Sequence, residues 1–231
     1  MIKSFLIAAI LCIYTLSLKA QIQSFTLSSN VLYNDGYGIP WNAELPYRIE
    51  GSPFFDKGFC KGSIQLLNGK TYGDLQLKLN LEEQKVIFTG ADGKTFAVSQ
   101  PLARVELACN NQSESIIFRS GFGAVNKQNE QSLYQVLDSG RVLLLKFVEI
   151  RHMDSKAYNS TETTRSYRQL PYYYLWKSGK DLIKVPVDEN GLLDILKDKK
   201  KELAETINNE RLKIKKEADL IQVIKKYNSL L

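Results

Sequence analysis

The sequence predicts a mainly β (α+β) protein, an antiparallel meander curled into a barrel or half-barrel and finished by two C-terminal amphipathic helices. Three observations lead there. Leu75, Leu77, Leu79 and Leu81 alternate with Gln76, Lys78, Asn80 and Glu82, the period-2 pattern of a strand with one dry and one wet face. Asn68-Gly69 and Asp92-Gly93 supply the positive-φ dipeptides of two-residue hairpins. After Pro186 the aromatics vanish until Tyr227, and Lys, Glu, Leu and Ile take over.

In chain order, residues 1–20 come first. Lys3 heads an apolar run from Phe5 to Leu16, followed by small and polar residues ending at Ala20. That is the build of a cleavable signal peptide, with Gln21 as the first mature residue. The run is shorter than the ~20 residues a membrane span needs, so no span is expected after cleavage. Cys12 is preceded by Ile10 and Leu11 rather than by the small residues of a lipoprotein signal. The expected location is the periplasm, the outer-membrane surface or the exterior. Cleavage removes Lys3 and Lys19 and no acid, so the formal excess of +6 shrinks by two. A small surplus spread among acids gives no footprint for nucleic acid.

Export leaves Cys60 and Cys109 as the cysteines of the mature chain, and in an oxidising compartment two cysteines are most simply one disulfide. Two buried, reduced cysteines are the alternative.

Residues 21–187 read as the β domain. Strands are expected at Ile22 to Leu27 and Val31 to Tyr33, then irregular chain around Asn34-Asp35-Gly36 and Pro40, with Trp41 and Pro46 packing at the sheet's end. Further strands run from Ser63 to Leu67, Tyr72 to Leu81, Lys85 to Thr89, Thr95 to Ser99 and Arg104 to Ala108. Ser115 to Arg119, Leu133 to Leu137 and Val142 to Ile150 continue the series, roughly eight to ten strands in all. The segment VLLLKFVEI at 142–150 is nearly all apolar, which predicts burial on both faces. Residues 151–166 are polar and threonine-rich and read as a long hairpin loop. Tyr167 to Trp176 and Asp181 to Val187 make the last hairpin.

Residues 188–231 read as a helical appendage packed on the β domain. Leu192, Leu196, Leu203 and Ile207 fall on one face of a first helix, and Leu220, Ile224, Tyr227 and Leu231 on one face of a second. Ten Lys or Arg stand against nine Asp or Glu here, a balance suited to solvated faces.

Catalytic signatures are lacking. His152 is the lone histidine, and no G-x-S-x-G elbow, P-loop, EF-hand or dinucleotide fingerprint occurs. One histidine and two distant cysteines do not make a zinc site. No cofactor and no catalytic residue are therefore expected. The feature best suited to binding is Tyr172, Tyr174 and Trp176, which share one face of a strand; aromatic rings with polar tips fit a half-exposed ligand surface. An aromatic rung of the core would use the same pattern.

The entry Gly51-Ser52-Pro53-Phe54-Phe55, the Lys61-Gly62 step, the Asn68-Gly69 turn, the strand Leu77-Lys78-Leu79-Asn80 and the tail Tyr227-Asn228 resemble uncharacterised secreted β-rich proteins of Gram-negative envelopes. The resemblance implies export and a β-rich fold, and carries no activity. The functional expectation is a non-enzymatic envelope module that binds a protein partner or an apolar small ligand. The alternatives are an envelope-polymer hydrolase whose two carboxylates meet only in the fold, or a purely structural envelope protein. A porin-like barrel does not fit a chain ending in charged amphipathic helices.

Overall fold

The computed structural model describes residues 37–40, 48–109, 114–158, 161–177, 179 and 181–231. The expected signal peptide at 1–20, the strands at 22–27 and 31–33, and Trp41 and Pro46 lie outside the described residues. The strands are β1 (Gly38–Pro40), β2 (Arg48–Glu50), β3 (Cys60–Leu66), β4 (Thr71–Asn80), β5 (Lys85–Thr89), β6 (Thr95–Val98), β7 (Leu102–Ala108), β8 (Ile116–Arg119), β9 (Tyr134–Asp138), β10 (Val142–Ser155), β11 (Thr164–Lys177) and β12 (Ile183–Lys184). Three helices follow: α1 (Glu189–Ile195), α2 (Lys200–Glu210) and α3 (Glu217–Ser229), with a 3₁₀ turn at Lys197–Lys199.

The twelve strands among the described residues form one sheet in the order β1-β6-β5-β4-β3-β7-β8-β9-β10-β11-β12, with β2 also pairing β11. Hairpins form at Asn68-Gly69 and Asp92-Gly93 as expected, but their turns are longer than two residues, closed by Leu66 with Lys70 and by Gly90 with Lys94, and only Gly69 and Gly93, not Asn68 or Asp92, carry positive φ. From β3 onward the meander is interrupted once, because β7 returns to the far side of β3 instead of lying beside β6. The link from Val98 to Leu102 spans at most about 14 Å, whereas a flat sheet would separate these strands by about 19 Å. The sheet therefore curls at this point. It does not close into a barrel: β1 has no partner other than β6, and β11 carries β2 and β12 on its outer edge, among the described residues. Closure depends on the last strand finding the first, and here short β1 meets only β6.

Inside the curl, Leu75, Leu77, Leu79 and Leu81 are buried with Tyr72, Phe88, Val105 and Phe118, and each such side chain contributes roughly 1.5–3 kcal/mol. The disulfide joins Cys60 to Cys109, with Cα atoms 4.6 Å apart, one step beyond the Lys61–Ala108 pair of β3 and β7.

Two expectations are corrected along β10 and β11. Residues 151–166 are not one long loop: β10 runs to Ser155 and β11 begins at Thr164, paired residue for residue. These ends form an exposed arm, with cross-strand Arg165 donating to Asp154 at 2.7 Å through both Nε and Nη2 and β2 lying parallel along its outer edge. The strand expected at Asp181 to Val187 shrinks to Ile183–Lys184, since Pro186 offers no N–H to extend the ladder.

The near-continuous apolar run of β10 is buried on both faces, as expected. Val142 and Leu144 face α1–α3, packing with Leu175, Leu192, Leu203, Leu220 and Ile224. Leu143, Leu145 and Phe147 face an aromatic cluster of Phe122, Tyr134 and Tyr174. The first expected helix is two, broken after Leu196. Asp188 caps α1 by accepting the Gly191 N–H at 2.8 Å, and α2 restarts at Lys200. Asn228 of α3 pins the helices to the β9–β10 turn: its Oδ1 accepts the Val142 N–H at 3.0 Å, and its Nδ2 donates to Val142 O at 2.9 Å and to Asp138 at 2.8 Å.

Candidate functional site

The strand alternation that buries Leu143 and Leu145 also sets Phe147, Glu149 and Arg151 in a row on the same face of β10. Tyr172, Tyr174 and Trp176 form the matching row on β11, with Phe147 opposite Tyr172, Leu145 opposite Tyr174 and Leu143 opposite Trp176. The three aromatics thus share one face of β11 as expected, but they differ in exposure. Tyr174 is 1% exposed, and Trp176 packs edge-on against Phe122 at 5.3 Å. Tyr172 is half-buried and opens onto a cleft.

That cleft, of about 250 Å³, is closed on one side by Asn126, Lys127 and Gln128 and on others by Glu149, Arg151 and Lys184. The wall is a tight turn: Val125 and Gln128 exchange backbone hydrogen bonds at 3.2 and 3.0 Å, and Asn126 takes φ 53°, a conformation asparagine tolerates better than most residues. Arg151 donates to Glu149 through Nε at 3.1 Å and Nη2 at 3.2 Å. Arg151 first, and the Tyr172 hydroxyl and Lys127 beyond it, hold the Glu149 carboxyl below its usual range against the opposing pull of burial. Lys184 Nζ stands 4.3 Å from the centre of the Tyr172 ring, a cation–π contact that keeps the ammonium at the mouth.

A wider cleft of about 670 Å³ adjoins it, since Lys127 and Phe147 line both. Its other walls include Glu82, Glu83, Lys85, Asn129 and Gln131. Both carboxylates are engaged. Glu82 meets His152 Nδ1 at 2.6 Å, and Glu83 pairs with Lys85 at 3.1 Å while accepting from Asn80 Nδ2 at 3.3 Å. His152 stands on the exposed arm, edge-on to Tyr167.

On the opposite face, between the sheet and the helices, a concavity of about 440 Å³ is lined chiefly by Val142, Leu175, Ile183, Ile195, Leu196 and Tyr227. It is mostly apolar. Among the described residues, Asp56, Cys60 and Cys109 bring possible metal ligands together; with the two sulfurs bonded to each other, a lone carboxylate remains, which does not hold a metal.

Sequence reasoning missed Lys127, Glu149, Arg151 and Lys184. Glu149 and Arg151 carried a usable signal in their two-residue spacing after Phe147, whereas Lys127 and Lys184 reach the cleft through the loop and through β12, where no pattern marks them. No helix among the described residues is long and apolar enough to cross a membrane. Compared with known proteins, the chain matches no family model, no curated protein and no solved structure.

Proposed function

We propose that the chain is an exported, non-enzymatic envelope protein that acts as a binding module, with the groove over β10 and β11 as its binding surface. The observation that carries the reading is that the two clefts adjoin at Lys127 and Phe147 and together offer aromatic side chains among polar ones. Ligand sites are built of such apolar bodies with a few placed polar groups. The disulfide and the N-terminal pattern support export. The lining favours a polar, extended partner at this groove; an apolar ligand would take the concavity at Ile195 and Leu196 instead.

The test is a photo-crosslinking amino acid placed in turn at Lys127, Tyr172, Ile195 and, as a control on the solvent face of α3, Lys225. Intact-mass analysis of protein recovered from the producing cells should show a discrete adduct at Lys127 and Tyr172 alone. An adduct confined to Ile195 transfers the function to the apolar concavity, and identical patterns at all four positions remove the binding reading. N-terminal sequencing of the same material should begin at Gln21; a full-length chain retained in the cytoplasm overturns export.

The alternative is an envelope-polymer hydrolase; Glu82 and Glu83 both line the wider cleft, although they are sequence neighbours on one turn rather than a pair assembled by the fold. It requires turnover of envelope glycan by the purified chain, abolished in Glu82→Gln or Glu83→Gln.

A further inference from the structure

The narrow cleft draws its charge from three separate elements: Lys127 from the 125–128 turn, Glu149 and Arg151 from β10, and Lys184 from β12. Three cations and one carboxylate line it. That carboxylate is already neutralised by Arg151, which spends two of its five N–H donors on it. Neither Lys127 nor Lys184 has an ion-pair partner among the described residues.

The neutral groups are turned the same way. The Tyr174 O–H donates to Gln128 Oε1 at 3.4 Å. With its oxygen accepting, Gln128 keeps its NH₂ as the unspent end. The unspent groups of the lining are thus chiefly N–H donors, which suits a ligand made of acceptors.

We propose that this cleft binds an oxyanion group, phosphate or carboxylate, carried by the partner that lies along the groove; the proposal rests on the binding-module reading above. The volume agrees with a group rather than a whole ligand, because about 250 Å³ falls below the ~300–1,000 Å³ typical of complete small-molecule sites. The adjoining cleft of about 670 Å³ takes the remainder.

The experiment is calorimetric titration of the mature chain at constant ionic strength with inorganic phosphate, with succinate and with chloride. Saturable binding of phosphate alone identifies a phosphate source, of succinate alone a carboxylate source, and chloride should give none. Lys127→Glu and Lys184→Glu should each weaken the oxyanion by about tenfold or more, while Lys225→Glu leaves it unchanged. No saturable response to either oxyanion, or equal weakening by Lys225→Glu, overturns the proposal. Crosslinked adducts at Tyr172 without an oxyanion response remove this inference and leave the module standing; absence of both removes the two together.

Discussion

His152 Nδ1 and Glu82 Oε1 lie 2.6 Å apart although 70 residues separate them in sequence. The contact ties the exposed arm of β10 and β11 to the β4–β5 turn, and Glu82 also lines the wider cleft. The first prediction concerns this tie. Both partners are partly exposed, so the pair is worth only about 0.2–1 kcal/mol, and Glu82→Gln should barely move global stability. Hydrogen exchange should accelerate in residues 151–155 and 164–168 and stay unchanged in β3 to β7. Unchanged exchange in the arm would show that its ladder holds without the tie.

The disulfide is the second. Closing a loop with a sequence separation of 49 restricts the unfolded chain by about 4 kcal/mol on the chain-entropy account. Cys60→Ala with Cys109→Ala should lower the urea midpoint accordingly, and reduction of the parent should reproduce the loss. A double variant as stable as the parent would assign that stability to packing around β3 and β7.

Glycines supply a paired comparison. A Cβ on Gly62 would lie 2.0 Å from the Glu106 carbonyl oxygen, beside the irregularity in β3–β4 pairing, so Gly62→Ala should cost about 1–3 kcal/mol or more. Gly69 has nothing within 4 Å of its Cβ position and carries φ 88°, so Gly69→Ala should cost only about 1–2 kcal/mol of backbone strain. Thermal melts rank the two; the reverse order would contradict the tight approach of β3 to β7.

Alkaline pH provides the fourth. Burial, then the hydrogen bond to Asp198, pushes the Tyr227 hydroxyl from 10.0 up to about 12, and burial raises Tyr134, Tyr173 and Tyr174 as well. Between the unfolded and folded values the native state holds the extra protons, so stability is whole below pH 10.0 and falls as pH rises toward about 12. Phenolate absorbance of these tyrosines should appear together with loss of near-ultraviolet dichroism. Phenolate formation well before unfolding would mean that these hydroxyls are open to water.

Tyr134 gives the fifth. Its hydroxyl is buried without a hydrogen-bond partner among the described residues, beside Phe122, Phe147 and Tyr174. Leaving such a group unpaired costs about 1–3 kcal/mol, so Tyr134→Phe should hold or raise the melting temperature. A marked loss would reveal a partner for the oxygen.

Much of the fold was legible because it is local. The Asn68-Gly69 and Asp92-Gly93 turns and the leucine alternation of β4 each specify their own hairpin, and the apolar run of β10 announced two buried faces. The arm was misread as loop because its strands show no hydrophobic period to mark them as strands. The helix break after Leu196 has neither glycine nor proline to mark it. The site was legible only as an aromatic row. Which ring opens to solvent depends on Phe122 and on the 125–128 turn, and those approach through tertiary packing.

The pairing of β2 with β11 bears on the order of events during folding. Glu50 and Ser166, bonded at 3.0 Å, are 116 residues apart, whereas the β3–β4 and β5–β6 hairpins pair with near neighbours. Local pairs form fast and distant ones wait on loop closure. A chain leaving the ribosome therefore presents Arg48–Glu50 long before Thr164–Ser166 exists to receive it. The edge of the sheet is completed last, by a strand made among the first.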